Sequence, residues 1–164
     1  MKAKLQELGA KYVDKKHQID TYLSPPHKSL IGQTLYLRVR HDKLSGKARF
    51  EYDIGLKESG ASLAEEYEVE IDNPETMLTI LNKLNFVVDA VIDKKRLTYK
   101  LESFIIVLDD VKELGRFMEI ELLDTDYEEA EQKINQLYEK LGVSKQDILT
   151  CRQNYFDMMI AKKS

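Results

Sequence analysis

Alternation of apolar and polar residues with a period of two, the pattern of a half-buried β-strand, recurs along this sequence. Turn residues such as Pro25-Pro26 and Ser45-Gly46 separate the strand-like runs. The runs lie at residues 20–23, 34–40, 47–54, 65–71, 86–92, 94–100, 104–108 and 116–123. Because neighbouring runs are close in sequence, hairpins are favoured, and we predict seven or eight mostly antiparallel strands in a barrel or strongly curved sheet.

Helical patterns interrupt the strands. The clearest begins at Asn73-Pro74, where a capping side chain precedes a proline at the first helical position, and continues to about residue 84. The other predicted helices cover 2–8 (before Gly9), a segment from Asp124 or Asp126 to Gly142, a short segment from Ser144, and 152–161. These elements predict an α+β fold in which residues 1–164 form a single domain.

Composition excludes several classes of protein. The chain has 164 residues, and its single cysteine, Cys151, rules out an internal disulfide framework. No apolar run approaches the roughly 18 residues of a membrane span, and residues 1–12 do not resemble a signal peptide, so we expect a cytoplasmic protein. Charged residues make up 33% of the chain, yet the net charge is only -4, which argues against large nucleic acids as partners.

These charges are segregated by strand. In an ideal strand, residues two apart share a face, so some strands present only basic side chains on one face and others only acidic ones. The basic set is Arg38, Arg40, Lys94 and Arg96, and the acidic set is Glu66, Glu68, Glu70, Glu119 and Glu121. One interpretation is a solvated sheet face. The alternative is a closed sheet whose interior binds phosphate through arginine and lysine, and Mg²⁺ or Mn²⁺ through paired carboxylates.

Five motifs, in a fixed order through most of the chain, resemble those of the CYTH family. That family groups class IV adenylyl cyclases with thiamine triphosphatases and inorganic triphosphatases. The motifs are Gln18-Ile-Asp-Thr-Tyr-Leu, Leu37-Arg-Val-Arg, Glu66-Tyr-Glu-Val-Glu, Lys94-Lys-Arg with Tyr99, and Leu108-Asp-Asp-Val followed by Leu114-Gly-Arg-Phe-Met-Glu-Ile-Glu. The last is the most specific, and it is most similar to the bacterial and archaeal class IV cyclase branch.

The resemblance implies an eight-stranded antiparallel triphosphate tunnel. It implies that Arg38, Arg40, Lys94 and Arg96 contact the triphosphate, that Glu66, Glu68, Glu119 and Glu121 hold Mg²⁺ or Mn²⁺, and that Asp109 is a further tunnel residue. The implied ligands are ATP, thiamine triphosphate or inorganic polyphosphate. The implied reactions are attack of the ribose 3′-hydroxyl on the α-phosphate, or of water on the γ-phosphate, both of which depend on charge neutralisation and positioning.

Three departures from the family pattern bear on activity. The family begins with a strand reading E-x-E-x-K, and no such strand precedes residues 2–8 here. Asp53 stands where a triphosphate-binding lysine is expected, and Ala64 stands where an arginine is common. We therefore keep two hypotheses, a metal-dependent triphosphate enzyme and a catalytically degenerate relative that binds a nucleotide, polyphosphate or protein. An eight-stranded tunnel without its first strand would also leave an edge that could pair with a second copy of the chain.

Overall fold

The computed structural model describes residues 1–55, 64–123, 127–144 and 154–163. Its elements in chain order are α1 (Lys2–Glu7), β1 (Lys11–Ser24), β2 (Leu35–Asp42), β3 (Ala48–Gly55), β4 (Ala64–Ile71), α2 (Pro74–Lys83), β5 (Val87–Leu101), β6 (Phe104–Val111), β7 (Gly115–Leu122), α3 (Tyr127–Leu141) and α4 (Tyr155–Lys163). In the described ranges, no helix is long and apolar enough to cross a membrane.

All strands belong to one antiparallel sheet in the order β4-β3-β2-β1-β5-β6-β7. The predicted antiparallel α+β arrangement is confirmed. The count of eight strands is not, because the described residues form seven strands in an open sheet with β4 and β7 at its edges.

The difference in strand count has a local cause. The sequence pattern breaks between residues 86–92 and 94–100, but both runs belong to the single strand β5. Asp93 sits inside that strand, opposite Ile19 of β1, and its carboxylate is 2.8 Å from the His17 ring. β1 is also longer than its predicted core at 20–23, because it pairs with β5 along most of its length. A polar residue with a cross-strand partner therefore continues the ladder instead of ending it.

The apolar face of the sheet packs against α1, α2 and α3. Leu81 of α2 packs with Leu23 and Val39 of the sheet. On the other half of the same face, Leu141 of α3 and Leu5 of α1 belong to one core cluster, and both side chains are fully buried. The opposite face carries the charged residues, and it is covered in part by α4.

Helix boundaries follow the local signals in the sequence. The Asn73 side chain accepts a hydrogen bond from the Thr76 amide at 2.7 Å, so α2 begins at the predicted cap. α3 ends before Gly142, whose positive φ of 67° is the left-handed conformation that glycine adopts easily. The predicted starts at Asp124 or Asp126, and most of the short helix after Ser144, lie outside the described residues.

Candidate functional site

One face of the sheet gathers nearly all of the charged residues singled out from the sequence. Alternation along each strand places them there, and the strand register then decides which of them meet. We call this surface the charged face, and it is formed by Asp20, Arg38, Arg40, Arg49, Glu51, Asp53, Glu66, Glu68, Glu70, Lys94, Arg96, Asp109, Glu119 and Glu121. Acidic side chains outnumber basic ones in this set, so the face does not present a simple cationic surface to an anion.

Arg38 of β2 is surrounded by acceptors from β1 and β3. Its Nε lies 2.5 Å from Glu51 Oε2, one terminal nitrogen lies 3.0 Å from the Tyr22 hydroxyl, and the other lies 3.0 Å from Asp53 Oδ2. The Glu51 side chain is fully buried. A buried carboxylate is stable only when it is paired and hydrogen-bonded, and Arg38 supplies that partner.

Arg40 continues the same arrangement toward β1. Its Nε and one terminal nitrogen form a two-point contact with Asp20 at 2.7 and 2.8 Å, and the other terminal nitrogen is 3.3 Å from Glu51. Asp20 also accepts from Lys94 Nζ of β5 at 2.9 Å. We call this alternating chain the central ion network, and its order is Asp53, Arg38, Glu51, Arg40, Asp20 and Lys94.

Burial sets the electrostatics of the network. Burial alone would raise the pKa of Asp20, but the Arg40 hydrogen bonds and the Lys94 charge outweigh it and hold that pKa well below its usual range. Burial lowers the pKa of Lys94, and Arg40 and Arg96 add to this effect while Asp20 opposes it. Asp20 is therefore the carboxylate that keeps two neighbouring cations together in the protein interior.

A second group of side chains surrounds Arg96 of β5. Its guanidinium makes two hydrogen bonds to Asp109 of β6, at 2.8 and 2.5 Å, and one to Glu119 of β7 at 3.0 Å. Asp109 is buried, whereas half of the Glu119 side chain is exposed. Tyr155 of α4 donates its hydroxyl proton to Asp109 at 3.0 Å. We call these four residues the Arg96 cluster.

The helix α4 covers one part of the charged face. Phe156 is almost fully buried and stacks on Tyr22, with the ring centres 4.8 Å apart. The ammonium of Lys94 lies 5.6 Å from the centre of the Tyr155 ring, which is within the range of a cation–π contact. Lys94 is thus held by the Tyr155 ring of α4 as well as by the Asp20 carboxylate.

The candidate metal ligands lie toward the two edges of the sheet. Glu66 and Glu68 on β4 stand opposite Asp53 and Glu51 of β3, and Glu68 is 2.9 Å from an Arg49 nitrogen. In the described part of the chain, no group of three or more histidine, cysteine, aspartate or glutamate side chains is placed to hold a metal ion. Magnesium commonly uses one or two carboxylates together with substrate phosphates, so these residues fit an ion that enters with its ligand.

The structure therefore brings together some of the predicted site residues and separates others. Arg38, Arg40 and Lys94 belong to the central ion network, and Arg96, Asp109 and Glu119 belong to the Arg96 cluster. Glu121 pairs with Ile105 at the far edge, and Glu66 and Glu68 lie on β4 at the opposite edge of the sheet.

Two carboxylates at the centre of the face were missed by sequence reasoning. In the sequence, Asp20 stands out only as part of a motif and Glu51 does not stand out, yet both side chains are fully buried and each bonds two cations. The sequence pattern does place Glu51 at this face, because alternation puts it on the same side of the strand as Arg49 and Asp53. Asp53 itself is a partner of Arg38 and is largely buried.

This chain is similar to known proteins in sequence and in fold. A protein of Methanocaldococcus jannaschii with the name "Putative adenylate cyclase MJ0240" is 31% identical over 157 residues, covering 94% of this chain and 87% of that protein. The structure of the PH1012 protein of Pyrococcus horikoshii matches with a TM-score of 0.80 and 29% identity, covering 95% of this chain and 90% of that one.

A more distant match shares the fold alone. A Hippeastrum protein with the name "Putative adenylyl cyclase HpAC1" superimposes with a TM-score of 0.72 at 20% identity, covering 97% of this chain and 88% of that one. The family model described as the CYTH domain matches residues 1–151. This chain therefore belongs to the CYTH domain family.

Proposed function

We propose that this protein processes small triphosphates with the help of a divalent cation, either Mg²⁺ or Mn²⁺. ATP is the first candidate substrate, because the relative that is 31% identical carries the name of an adenylate cyclase. Hydrolysis is the second candidate reaction, because the Hippeastrum protein is described as having a dominant triphosphatase activity. Thiamine triphosphate and inorganic tripolyphosphate are the alternative substrates.

The observation that carries this proposal is the Arg96 cluster. The Arg96 side chain is 21% exposed, and half of the Glu119 side chain is exposed, so a ligand can reach this part of the charged face. A planar guanidinium can make two parallel hydrogen bonds to a phosphate, as it does here to the Asp109 carboxylate. Lys94 lies two residues away on the same face of β5, but its ammonium is buried and paired with Asp20, so Arg96 is the more accessible of the two cations.

Both candidate reactions need positioning and charge neutralisation. In cyclisation, the 3′-hydroxyl oxygen bonds to the α-phosphorus and pyrophosphate leaves, whereas in hydrolysis a water oxygen bonds to the γ-phosphorus. A divalent cation, when bound, would offset the phosphate charge, and Glu119 with Glu121, or Glu66 with Glu68, would supply its carboxylate ligands. Arg38 and Arg40 are further candidate phosphate ligands, but a phosphate would have to compete with the carboxylates that already bind them.

The test compares two substitutions on one strand. Arg96→Met removes the guanidinium from the charged face, and Lys95→Met removes a positive charge from an exposed residue that points to the opposite face. Purified protein with Mg²⁺ or Mn²⁺ is assayed against ATP, thiamine triphosphate and tripolyphosphate, with cyclic nucleotide, pyrophosphate and phosphate measured separately. We expect Arg96→Met to lower turnover by about 10²–10³-fold and Lys95→Met to leave it unchanged. Absence of turnover of all three substrates by the unaltered protein would contradict the proposal.

A binding protein without turnover is the second candidate function. It is favoured by the central ion network, in which Arg38 and Arg40 are already engaged by carboxylates. In that case tripolyphosphate would raise the melting temperature while its concentration stayed constant. Arg96→Glu would abolish the shift by reversing the charge that meets the phosphate.

A further inference from the structure

The guanidinium of Arg38 has an internal acceptor at each of its three nitrogens. Glu51 accepts from Nε, the Tyr22 hydroxyl from one terminal nitrogen, and Asp53 from the other. Glu51 and Asp53 lie two residues apart on β3 and therefore approach from the same side. A phosphate bound to Arg38 would use these same donor positions, since arginine binds carboxylates and phosphates through the same planar fork.

Arg40 is occupied in the same way, by Asp20 and again by Glu51. Asp20 takes Nε and one terminal nitrogen, and Glu51 lies within 3.3 Å of the remaining one. Glu51 consequently bridges both arginines of β2 with one buried carboxylate. An anion that approaches β2 meets arginines whose charge is already balanced.

The two carboxylates of β3 are held with unequal strength. Among the described residues, Glu51 is fully buried between two arginines, whereas Asp53 forms an ion pair with Arg38 and keeps 11% of its side chain exposed. Burial raises the pKa of Asp53, and the nearby charges of Glu51 and Glu66 add to that effect while Arg38 opposes it. Because it is less buried than Glu51 and does not bridge two arginines, Asp53 is the carboxylate of β3 whose removal should disturb the fold less.

We infer that Glu51 and Asp53 are specificity-determining residues that compete with phosphate for Arg38 and Arg40. This inference rests on the proposed function, since it concerns the same triphosphate ligand. The carboxylates restrict free triphosphate and favour a ligand that arrives as its divalent-cation complex, because the cation offsets the phosphate charge that they repel. Of the two carboxylates, Asp53 is the one whose substitution should change phosphate binding without unfolding the protein. Glu51 is held in place by its two buried ion pairs.

The test measures binding of inorganic tripolyphosphate by calorimetry, without metal and then with Mg²⁺, at constant ionic strength. Asp53→Asn removes the competing charge, and Asp110→Asn is the matched control because Asp110 is exposed on the opposite face of β6. We expect Asp53→Asn to lower the metal-free Kd by about tenfold, and Asp110→Asn to change it less than twofold. The tightening should be smaller with Mg²⁺, which already offsets part of the ligand charge.

The possible outcomes distinguish a failure of this inference from a failure of the proposed function. Equal metal-free affinities of Asp53→Asn and Asp110→Asn, including no binding by either, would overturn the inference. Loss of folding in Asp53→Asn, seen by circular dichroism, would show that the fold requires the Asp53 carboxylate. That result would also overturn the inference. If the unaltered protein neither binds nor turns over triphosphates but Asp53→Asn binds them, the proposed function fails while the competition stands. Glu51→Gln, where it folds, should tighten binding further because it frees both arginines.

Discussion

Lys94 and Asp20 form an ion pair across β1 and β5, with Nζ 2.9 Å from Oδ2, although neither is the register partner of the other. Lys94 stands opposite Gln18, and Asp20 stands opposite Ile92. The contact is therefore diagonal, and Arg40 on the neighbouring strand donates to both Asp20 oxygens. One carboxylate thus links the three central strands of the sheet.

The first prediction concerns the stability that this link provides. Asp20→Asn removes a buried negative charge and leaves Lys94 and Arg40 without their shared partner. Loss of one member of a buried ion pair costs about 3–5 kcal/mol, because the remaining charges stay buried and uncompensated. Urea unfolding at pH 7.5 should show a loss of this size for Asp20→Asn. Asp110→Asn, at an exposed carboxylate, should stay within about 0.5 kcal/mol of the unaltered protein.

The pH dependence of the same variant provides a second prediction. The pKa of Asp20 is lower in the folded protein than its ordinary value of 3.8, so the folded state binds that proton less readily than the unfolded chain. The contribution to stability is then complete above about pH 5 and is lost as the pH falls through 4 and below. The difference in unfolding free energy between the unaltered protein and Asp20→Asn should be constant from pH 8 to 5. Below about pH 4 it should shrink, by at most about 1.4 kcal/mol per pH unit. A difference that stays constant down to pH 3.5 would contradict this assignment.

The third prediction concerns Tyr155 as a positioning residue for Asp109. Burial raises the pKa of the Tyr155 phenol, and the charges of Glu119 and Asp109 add to it, so the hydroxyl remains a donor at neutral pH. Tyr155→Phe removes the hydrogen bond to Asp109 but leaves the two bonds from Arg96 in place. We expect a loss of about 1 kcal/mol in urea unfolding. Tyr67→Phe, on an exposed strand, should have no measurable effect, and an equal loss in both variants would rule out a specific role for the Asp109 contact.

The fourth prediction tests how α4 is attached to the sheet. Phe156 is almost fully buried, stacks on Tyr22 and meets Tyr36 edge-on at 5.9 Å. Phe156→Ala should cost about 3–5 kcal/mol if α4 unfolds together with the sheet, as expected for an aromatic residue removed from a core. Leu123→Ala, at an exposed leucine, should change stability by less than about 0.5 kcal/mol. A loss below 1 kcal/mol for Phe156→Ala would mean that α4 detaches independently, and hydrogen exchange at α4 would then be fast in the unaltered protein.

Sequence reasoning placed the charged residues on one face more reliably than it paired them. Alternation alone puts Arg38 and Arg40 on one side of β2, and the structure agrees. The pairing of Arg38 with Glu51 depends on the register between β2 and β3. That register is set by the turn in which the Asp42 amide donates a hydrogen bond to the Lys47 carbonyl. A shift of one residue in that turn would move the whole set of partners to the other face. The central ion network is therefore a property of turn geometry, which the strand pattern does not specify.

The last prediction concerns the metal ligands at the β7 edge. Glu119 and Glu121 share the charged face of β7, and Glu119 is already 3.0 Å from an Arg96 nitrogen. Glu121 is exposed and has its carboxylate charge on the same side, so it is the better placed of the two to accept a cation that arrives with a triphosphate. Binding of Mn²⁺, followed by electron paramagnetic resonance in the presence of tripolyphosphate, should weaken by about fivefold or more in Glu121→Gln. Glu139→Gln removes the same charge from the exposed surface of α3 and should leave the Mn²⁺ affinity unchanged. Equal affinities in the two variants would exclude Glu121 as a ligand. Glu66 and Glu68 would then be the expected ligands, and Glu66→Gln and Glu68→Gln would be measured in the same way.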